Sequence, residues 1–359
     1  MTGIWCPLIL LDKDLLCVIQ KLAFNRLQTT DNDKMVILLQ CNRFFIFKYT
    51  STNLMRKKKF PITAIIGFTL MIGCTKKSYD ANDNHTMGTF LRAIEVDGET
   101  REFIIHVPNS YDTLKSVPLM LNFHGWTMTS EDQMEISDMR SLANSEQFIL
   151  VYPQGTRFQL STHWNVGSWT TGSNANDLGF TEALIQQIST NYNIDEERIY
   201  ACGYSNGGFF SYELACQLSH KIAAIGSVAG NMSTKTVNNC NPSHPTPVIT
   251  ISGTMDDETI YDGSESDGYI SHSSTIDFWI TYNNVDTIPI ITNLPNTNTA
   301  DGDSVVLYQY LNGTNNIEIE HYKVIDGGHD WPGTFGNMDI NANSVIWDFV
   351  SQFDINGKI

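Results

Sequence analysis

Gly203-Tyr204-Ser205-Asn206-Gly207 stands between the apolar run Arg198 to Cys202 and a helix-like stretch from Gly208 to Ser219. The arrangement predicts a strand, a sharp turn and a helix, with a serine at the apex. So tight a turn holds the serine in a strained backbone conformation, its hydroxyl projecting above the sheet edge, and leaves room only for small residues two positions either side. Gly203 and Gly207 fill those places. A G-x-S-x-G match alone arises readily by chance, so the flanking strand and helix carry the weight. The remaining question is whether acid and histidine partners follow.

The rest of the chain alternates strand-like and helix-like segments. Glu102 to Val107, Leu119 to Phe123, Phe148 to Tyr152, Ile199 to Gly203, Ala223 to Val228, Val248 to Ser252 and Ile317 to Ile325 read as strands, short and rich in β-branched residues. Leu178 to Tyr192 reads as a helix, as does Ser344 to Phe353, where Ile346, Trp347 and Val350 recur at helical spacing. Such alternation implies an α/β fold with a mainly parallel central sheet and helices on both faces. Asp286 to Asn316, rich in Asn and Thr, reads as a surface insertion around a strand from Ser304 to Tyr310.

Ligands of such sheets gather beyond the carboxyl ends of the strands. Asp256 follows the strand Val248 to Ser252 through Gly253-Thr254-Met255, and His329 follows Tyr322 to Ile325 through Asp326-Gly327-Gly328. The order Ser, Asp, His is that of the α/β-hydrolases. On this reading Ser205 attacks a carbonyl carbon, His329 takes its proton and returns it to the leaving group, and Asp256 fixes the imidazole tautomer. Asp257, next in the chain, competes for the acid role. Two backbone N–H groups must receive the oxyanion: that of Asn206, directly after the nucleophile, and one from the loop His124-Gly125-Trp126, where Trp126 is the candidate. His124 itself reads as structural. Trp164, Trp169, Tyr261 and Trp331 are expected near the mouth of the site, where they can stack on an acyl group or a sugar. The nine histidines include no H-E-x-x-H and no H-x-H pair, and no P-loop or dinucleotide fingerprint occurs, so neither metal nor cofactor is expected.

Ahead of this domain, Met55-Arg56-Lys57-Lys58-Lys59 is a basic cluster, Phe60 to Gly73 is mostly apolar, and Cys74 follows. That is the layout of a signal peptide over 55–73. Met71-Ile72-Gly73-Cys74 resembles a bacterial lipobox, which makes Cys74 a candidate for lipidation and a lipid anchor the one expected tie to a membrane. Residues 1–54 are expected to be a mispredicted extension upstream of a start at Met55, residues 74–89 a polar lead, and 90–359 the folded domain. Residues 1–73 hold ten of the 22 Lys and Arg but four of the 39 Asp and Glu. The remainder therefore has 12 basic against 35 acidic residues, net −23 by formal count, a surface that repels nucleic acid and anionic membranes. With 42% hydrophobic and 17% charged residues the chain is globular, and export would allow Cys216 and Cys240 to pair, while Cys202 reads as a small core residue.

These residues together resemble the secreted esterases related to polyhydroxybutyrate depolymerases and feruloyl esterases, a branch of the α/β-hydrolases. The likeness runs over about residues 90 to 353. Besides the elbow it rests on Asn122-Phe123-His124-Gly125, Val151-Tyr152-Pro153-Gln154-Gly155, Asp177-Leu178-Gly179-Phe180, Ser252-Gly253-Thr254-Met255-Asp256 and Gly328-His329-Asp330-Trp331-Pro332-Gly333. The pattern aligns Asp256 rather than Asp257 with the family's acid; where Ser252 stands the family often has His. The resemblance implies a serine esterase acting on a hydroxyalkanoate polyester or on feruloyl or acetyl groups of plant polysaccharide. A secreted serine peptidase, or a binding protein on a dead hydrolase scaffold, are the readings from other classes.

Overall fold

The computed structural model describes residues 86–359. The expected extension, the signal peptide, Cys74 and residues 75–85 of the polar lead lie outside the described residues. In chain order the strands are Gly88–Val96 (β1), Glu99–Val107 (β2), Val117–Phe123 (β3) and Ile149–Pro153 (β4). A short ribbon follows, Thr156–Phe158 (β5) with Ser161–His163 (β6). Then come Ile194–Tyr204 (β7), Ala224–Val228 (β8), Val248–Gly253 (β9), Ile290–Asn293 (β10), Ser304–Tyr310 (β11) and Ile319–Ile325 (β12).

The ribbon apart, these strands join one sheet of spatial order β1-β2-β4-β3-β7-β8-β9-β12-β11-β10, and Phe353–Asp354 pairs with Gly357–Lys358 in a separate short ribbon. The six strands from β4 to β12 are mutually parallel, and an antiparallel pair closes each side. Strands β3, β4, β8 and β9 are buried at every residue, as near-continuous apolar runs require when helices cover both faces.

The period-two alternation of a strand divides the core in two. Leu119, Leu121 and Phe123 face Phe180 and Leu184 of Asp177–Asn191 (here α3), Phe210 of Asn206–Gln217 (α4) and Trp279 of His272–Asn283 (α6). Met120, between them, turns to the opposite face. There it meets Met139 and Ala143 beside and within Arg140–Glu146 (α2), and Ile346 of Ala342–Val350 (α7). Two shorter helices are Ser130–Ile136 (α1) and Thr234–Asn239 (α5). Trp347 of α7 stacks on Phe148 with ring centroids 3.9 Å apart. Each such large apolar side chain, fully buried, contributes about 1.5–3 kcal/mol.

The chain thus has the expected layers, with two departures. Asp286 to Asn316 is not an insertion beside the sheet: its β10 and β11 extend the sheet as an antiparallel edge, β11 pairing with β12 from Ser304↔Ile325 to Tyr310↔Ile319. The polar composition that suggested an insertion reflects an outer edge, where β10 is exposed at all four residues, while the strand expected within it, Ser304 to Tyr310, is present as β11. Strand β1, on the opposite edge, also escaped the sequence reading; it carries Phe90, Leu91, Ile94 and Val96, yet all nine of its residues are half-buried or exposed.

Cys216, near the end of α4, is disulfide-bonded to Cys240, which caps α5. The bridge spans 24 residues, and constraining a loop of that size in the unfolded chain stabilises a fold by about 3 kcal/mol. Cys216→Ser should lower the unfolding free energy by about that amount in urea titrations. An unchanged midpoint would mean that the bond is absent or ineffective in the protein as expressed.

Candidate active site

The carboxyl ends of β7, β9 and β12 bring the predicted residues to one edge of the sheet. Ser205 follows β7 directly with φ 53° and ψ −118°, a conformation costly for any residue with a Cβ. Its backbone N–H donates to the Val228 carbonyl at 2.8 Å, tying the apex to the end of β8. The flanking glycines are sterically required. A Cβ on Gly203 would stand 2.4 Å from the Gly207 carbonyl oxygen, and one on Gly207 would stand 2.1 Å from the Phe123 carbonyl oxygen.

His329 Nδ1 lies 2.7 Å from Asp256 Oδ2. The other carboxylate oxygen of Asp256 accepts the backbone N–H groups of Glu258 at 2.9 Å and Thr259 at 2.7 Å, so the buried acid is held at both ends. Asp257 is exposed and makes no such contact. Tyr204, the residue before the apex serine, donates its hydroxyl to the His329 carbonyl at 2.7 Å, and its ring centroid is 5.0 Å from that of the imidazole. That clamp ties the histidine loop to the elbow. Ser205 Oγ forms no hydrogen bond to the imidazole in this structure; such contacts commonly tighten only once substrate is in place.

The loop His124-Gly125-Trp126 passes directly over the elbow, a Cβ on Gly125 falling 3.5 Å from Ser205 Cβ. Neither the Trp126 nor the Asn206 amide is taken by an acceptor within the described residues, which leaves both to receive an oxyanion. The Asn206 side chain is otherwise engaged: its Oδ1 accepts the Trp164 N–H at 2.7 Å and its Nδ2 donates to the Trp164 carbonyl at 3.2 Å. Behind that loop Asp177 accepts from Asn165 N–H at 2.8 Å and from the Arg101 guanidinium at 2.8 Å, a buried ion pair that fixes the segment from the sheet side.

The expected aromatic contacts need correction. Trp164 and Trp331 are fully buried and cannot stack on a substrate. The indole of Trp164 donates to the His124 carbonyl at 2.9 Å and stacks on Phe210, while that of Trp331 donates to Asn343 at 3.0 Å. Both are wall residues behind the site. Trp169 is half-buried against Phe209 and Tyr269, and the Tyr261 hydroxyl meets His321 Nε2 at 2.8 Å, so its polar end is turned inward. Sequence reasoning missed the clamp by Tyr204 and the brace by the Asn206 side chain. Their place inside the elbow pattern was the available signal, but nothing in the pattern says where those side chains point.

No group of three or more His, Cys, Asp or Glu placed to hold a metal occurs among the described residues. Four buried histidines nevertheless bear on stability. Burial lowers the pKa of His124 and of His321 to about 4, that of His272 well below its ordinary value of 6.5, and that of His106 below it as well. Their folded forms resist protonation while the unfolded chain accepts it, so stability is fully present above about pH 6.5 and falls as pH drops toward about 4. Glu213 and Glu320, whose carboxyls burial pushes up, oppose this at the acid end. Urea titrations should give a lower unfolding free energy at pH 5 than at pH 7, by on the order of a few kcal/mol. A flat profile would show that these imidazoles are hydrated in solution.

No family model matches the chain. It is 29% identical over 255 residues, 71% of its length, to the bifunctional acetylxylan esterase/xylanase of Neocallimastix patriciarum. To feruloyl esterase B of Piromyces equi it is 29% identical over 262 residues, again 71% of its length. The matched regions span 34% and 46% of those two proteins, respectively. Among solved structures, an acetyl xylan esterase from Aspergillus awamori superposes with a TM-score of 0.52 at 15% identity, covering 73% of this chain and 98% of that one. The fold is that of the α/β-hydrolases. Within it, the chain is related to esterases whose names refer to feruloyl and acetylxylan substrates. This agrees with the resemblance carried by the motifs around Ser205, Asp256 and His329.

Proposed function

We propose that this α/β-hydrolase is an exported serine esterase that cleaves carboxylic esters of acylated plant polysaccharide through an acyl-enzyme on Ser205. The observation that carries the reading is the contact of His329 Nδ1 with a buried, doubly anchored Asp256, on a loop clamped by Tyr204 to the residue before Ser205. In the reaction His329 Nε2 takes the Ser205 proton as Oγ attacks the ester carbonyl, and Asp256 stabilises the imidazolium that forms. The Asn206 and Trp126 amides receive the negative charge developing on the carbonyl oxygen. The proton then passes to the departing alcohol, and water repeats the sequence to release the acid. Relatives named for feruloyl and acetylxylan substrates favour those acyl groups over a polyester.

Parallel assays on methyl ferulate, acetylated xylan, hydroxybutyrate oligomers and a peptide anilide test the reading. Turnover of ferulate or acetylxylan with inertness toward the anilide is expected. Preferential cleavage of the anilide would move the chain to the peptidases, and inertness toward all four would favour a dead scaffold.

Export rests on the segment 55–73 and is supported by the Cys216–Cys240 disulfide, a bond that persists in oxidising compartments. Expression from Met55 in a bacterial host should deliver the protein outside the cytoplasm, with labelled fatty acid entering Cys74 if the lipobox acts. Unlabelled soluble protein cut near Gly73 would leave export standing without the anchor, and cytoplasmic retention would remove both.

A further inference from the structure

His124 has its two ring nitrogens committed in opposite senses. Nε2 faces the Gly155 N–H at 2.9 Å and the Gln154 side-chain amide at 3.2 Å, so it is an acceptor and carries no proton. The ring proton therefore sits on Nδ1, which donates to the Gly125 carbonyl at 2.7 Å. Full burial keeps the imidazole neutral, and the backbone N–H at Gly155 selects this tautomer.

The consequence lies across one peptide bond. The Gly125 carbonyl, which also accepts the Met128 N–H at 3.2 Å, belongs to the same planar unit as the Trp126 N–H. A trans peptide points its C=O and N–H in opposite directions, so pinning the oxygen on one side aims the hydrogen to the other. The same unit lies against the elbow, with a Cβ on Gly125 3.1 Å from Tyr204 Cδ1 and 3.5 Å from Ser205 Cβ.

We propose that His124 is a positioning residue for the oxyanion: by holding the Gly125 carbonyl through Nδ1–H it aims the Trp126 amide at the substrate oxygen. The inference rests on the reading of Ser205 as nucleophile. A histidine that merely fills a buried space would affect folding alone, whereas one that aims a donor affects the transition state more than the bound substrate.

Two substitutions separate these roles. His124→Asn places a donor near the position of Nδ1 and keeps the contact with Gly125, whereas His124→Gln reaches the position of Nε2 and keeps the contact with Gly155. His124→Gln should lower kcat by about 100-fold, with KM within about threefold, as loss of one oxyanion donor does. Affinity for a trifluoromethyl ketone, which mimics the tetrahedral intermediate, should fall by a similar factor. His124→Asn should keep kcat within about tenfold of wild type, because the aimed donor survives. Equal kcat in the two variants, or a lower melting temperature with undiminished ketone affinity, would overturn the proposal. Should His124→Gln not fold, His124→Asn still decides the matter: a loss of about 100-fold in kcat there would refute it. Ser205→Ala, assayed alongside, keeps the two readings apart. Retained activity in that variant removes the nucleophile, while an inactive Ser205→Ala with indistinguishable His124 variants removes this inference alone.

Discussion

Ser205→Ala and His329→Ala should each reduce ester hydrolysis by about 10⁴-fold or more while leaving the protein folded. The size follows from the way such groups act. On the proposed mechanism there would be no acyl-enzyme without the hydroxyl, and without the imidazole the hydroxyl would keep its proton, so removing either would disable the same step. What survives is the contribution of the oxyanion donors and substrate binding, and the double variant should therefore be hardly worse than either single one. The fold should tolerate both changes. Ser205 is half-buried and its Cβ is retained in alanine, so the strained apex is kept without its hydroxyl. His329→Ala leaves Asp256 with the Glu258 and Thr259 amides and leaves the Tyr204 hydroxyl its backbone acceptor. Circular dichroism should be unchanged in both variants, and a fluorophosphonate should label His329→Ala slowly and Ser205→Ala not at all. Activity within about tenfold of wild type in either variant would sink the assignment, because members of such a unit act together.

The sheet and the elbow were legible because their physics is local. A fully covered parallel strand must be apolar throughout, and β3, β4, β8 and β9 read that way from sequence and are buried throughout in the fold. The glycines around Ser205 answer a steric demand at fixed spacing, so their positions announce the turn without any knowledge of the tertiary structure. The edge strands were harder. Only one side of an edge strand is paired and much of its surface is wet, so β1 and β10, though they carry Phe90, Leu91, Ile94, Val96, Ile290 and Ile291, lack the continuous buried run that marks the covered strands. The side chains lining the site were the least legible. Trp164 and Trp331 sit in the sequence close to motif residues, yet the His124 carbonyl and the Asn343 side chain hold their indoles inside the core. Proximity along the chain says nothing of which way a ring turns. Likewise the role of Tyr204 depends on its hydroxyl reaching a carbonyl 125 residues away, a contact with no local signature.

The acid offers two adjacent candidates of identical chemistry, and Asp256→Asn should cost far more than Asp257→Asn. In the structure Asp256 Oδ2 meets His329 Nδ1 at 2.7 Å while Oδ1 is held by two backbone amides, and Asp257 faces solvent. An asparagine at 256 can turn its own NH₂ toward the imidazole, which then holds its proton on Nε2, the nitrogen that must be free to accept from Ser205; nor can an amide stabilise the imidazolium. In serine proteases the corresponding change costs about 10⁴-fold in kcat, and a loss of that order is expected here. Asp257→Asn removes one exposed charge from a surface where salt screens it, and its kcat should stay within about twofold. Steady-state kinetics on one ester substrate would rank the two. Were Asp257→Asn the more damaging, the loop after β9 would sit one residue out of the register seen here, and the acid role would pass to Asp257 with Ser205 and His329 unchanged.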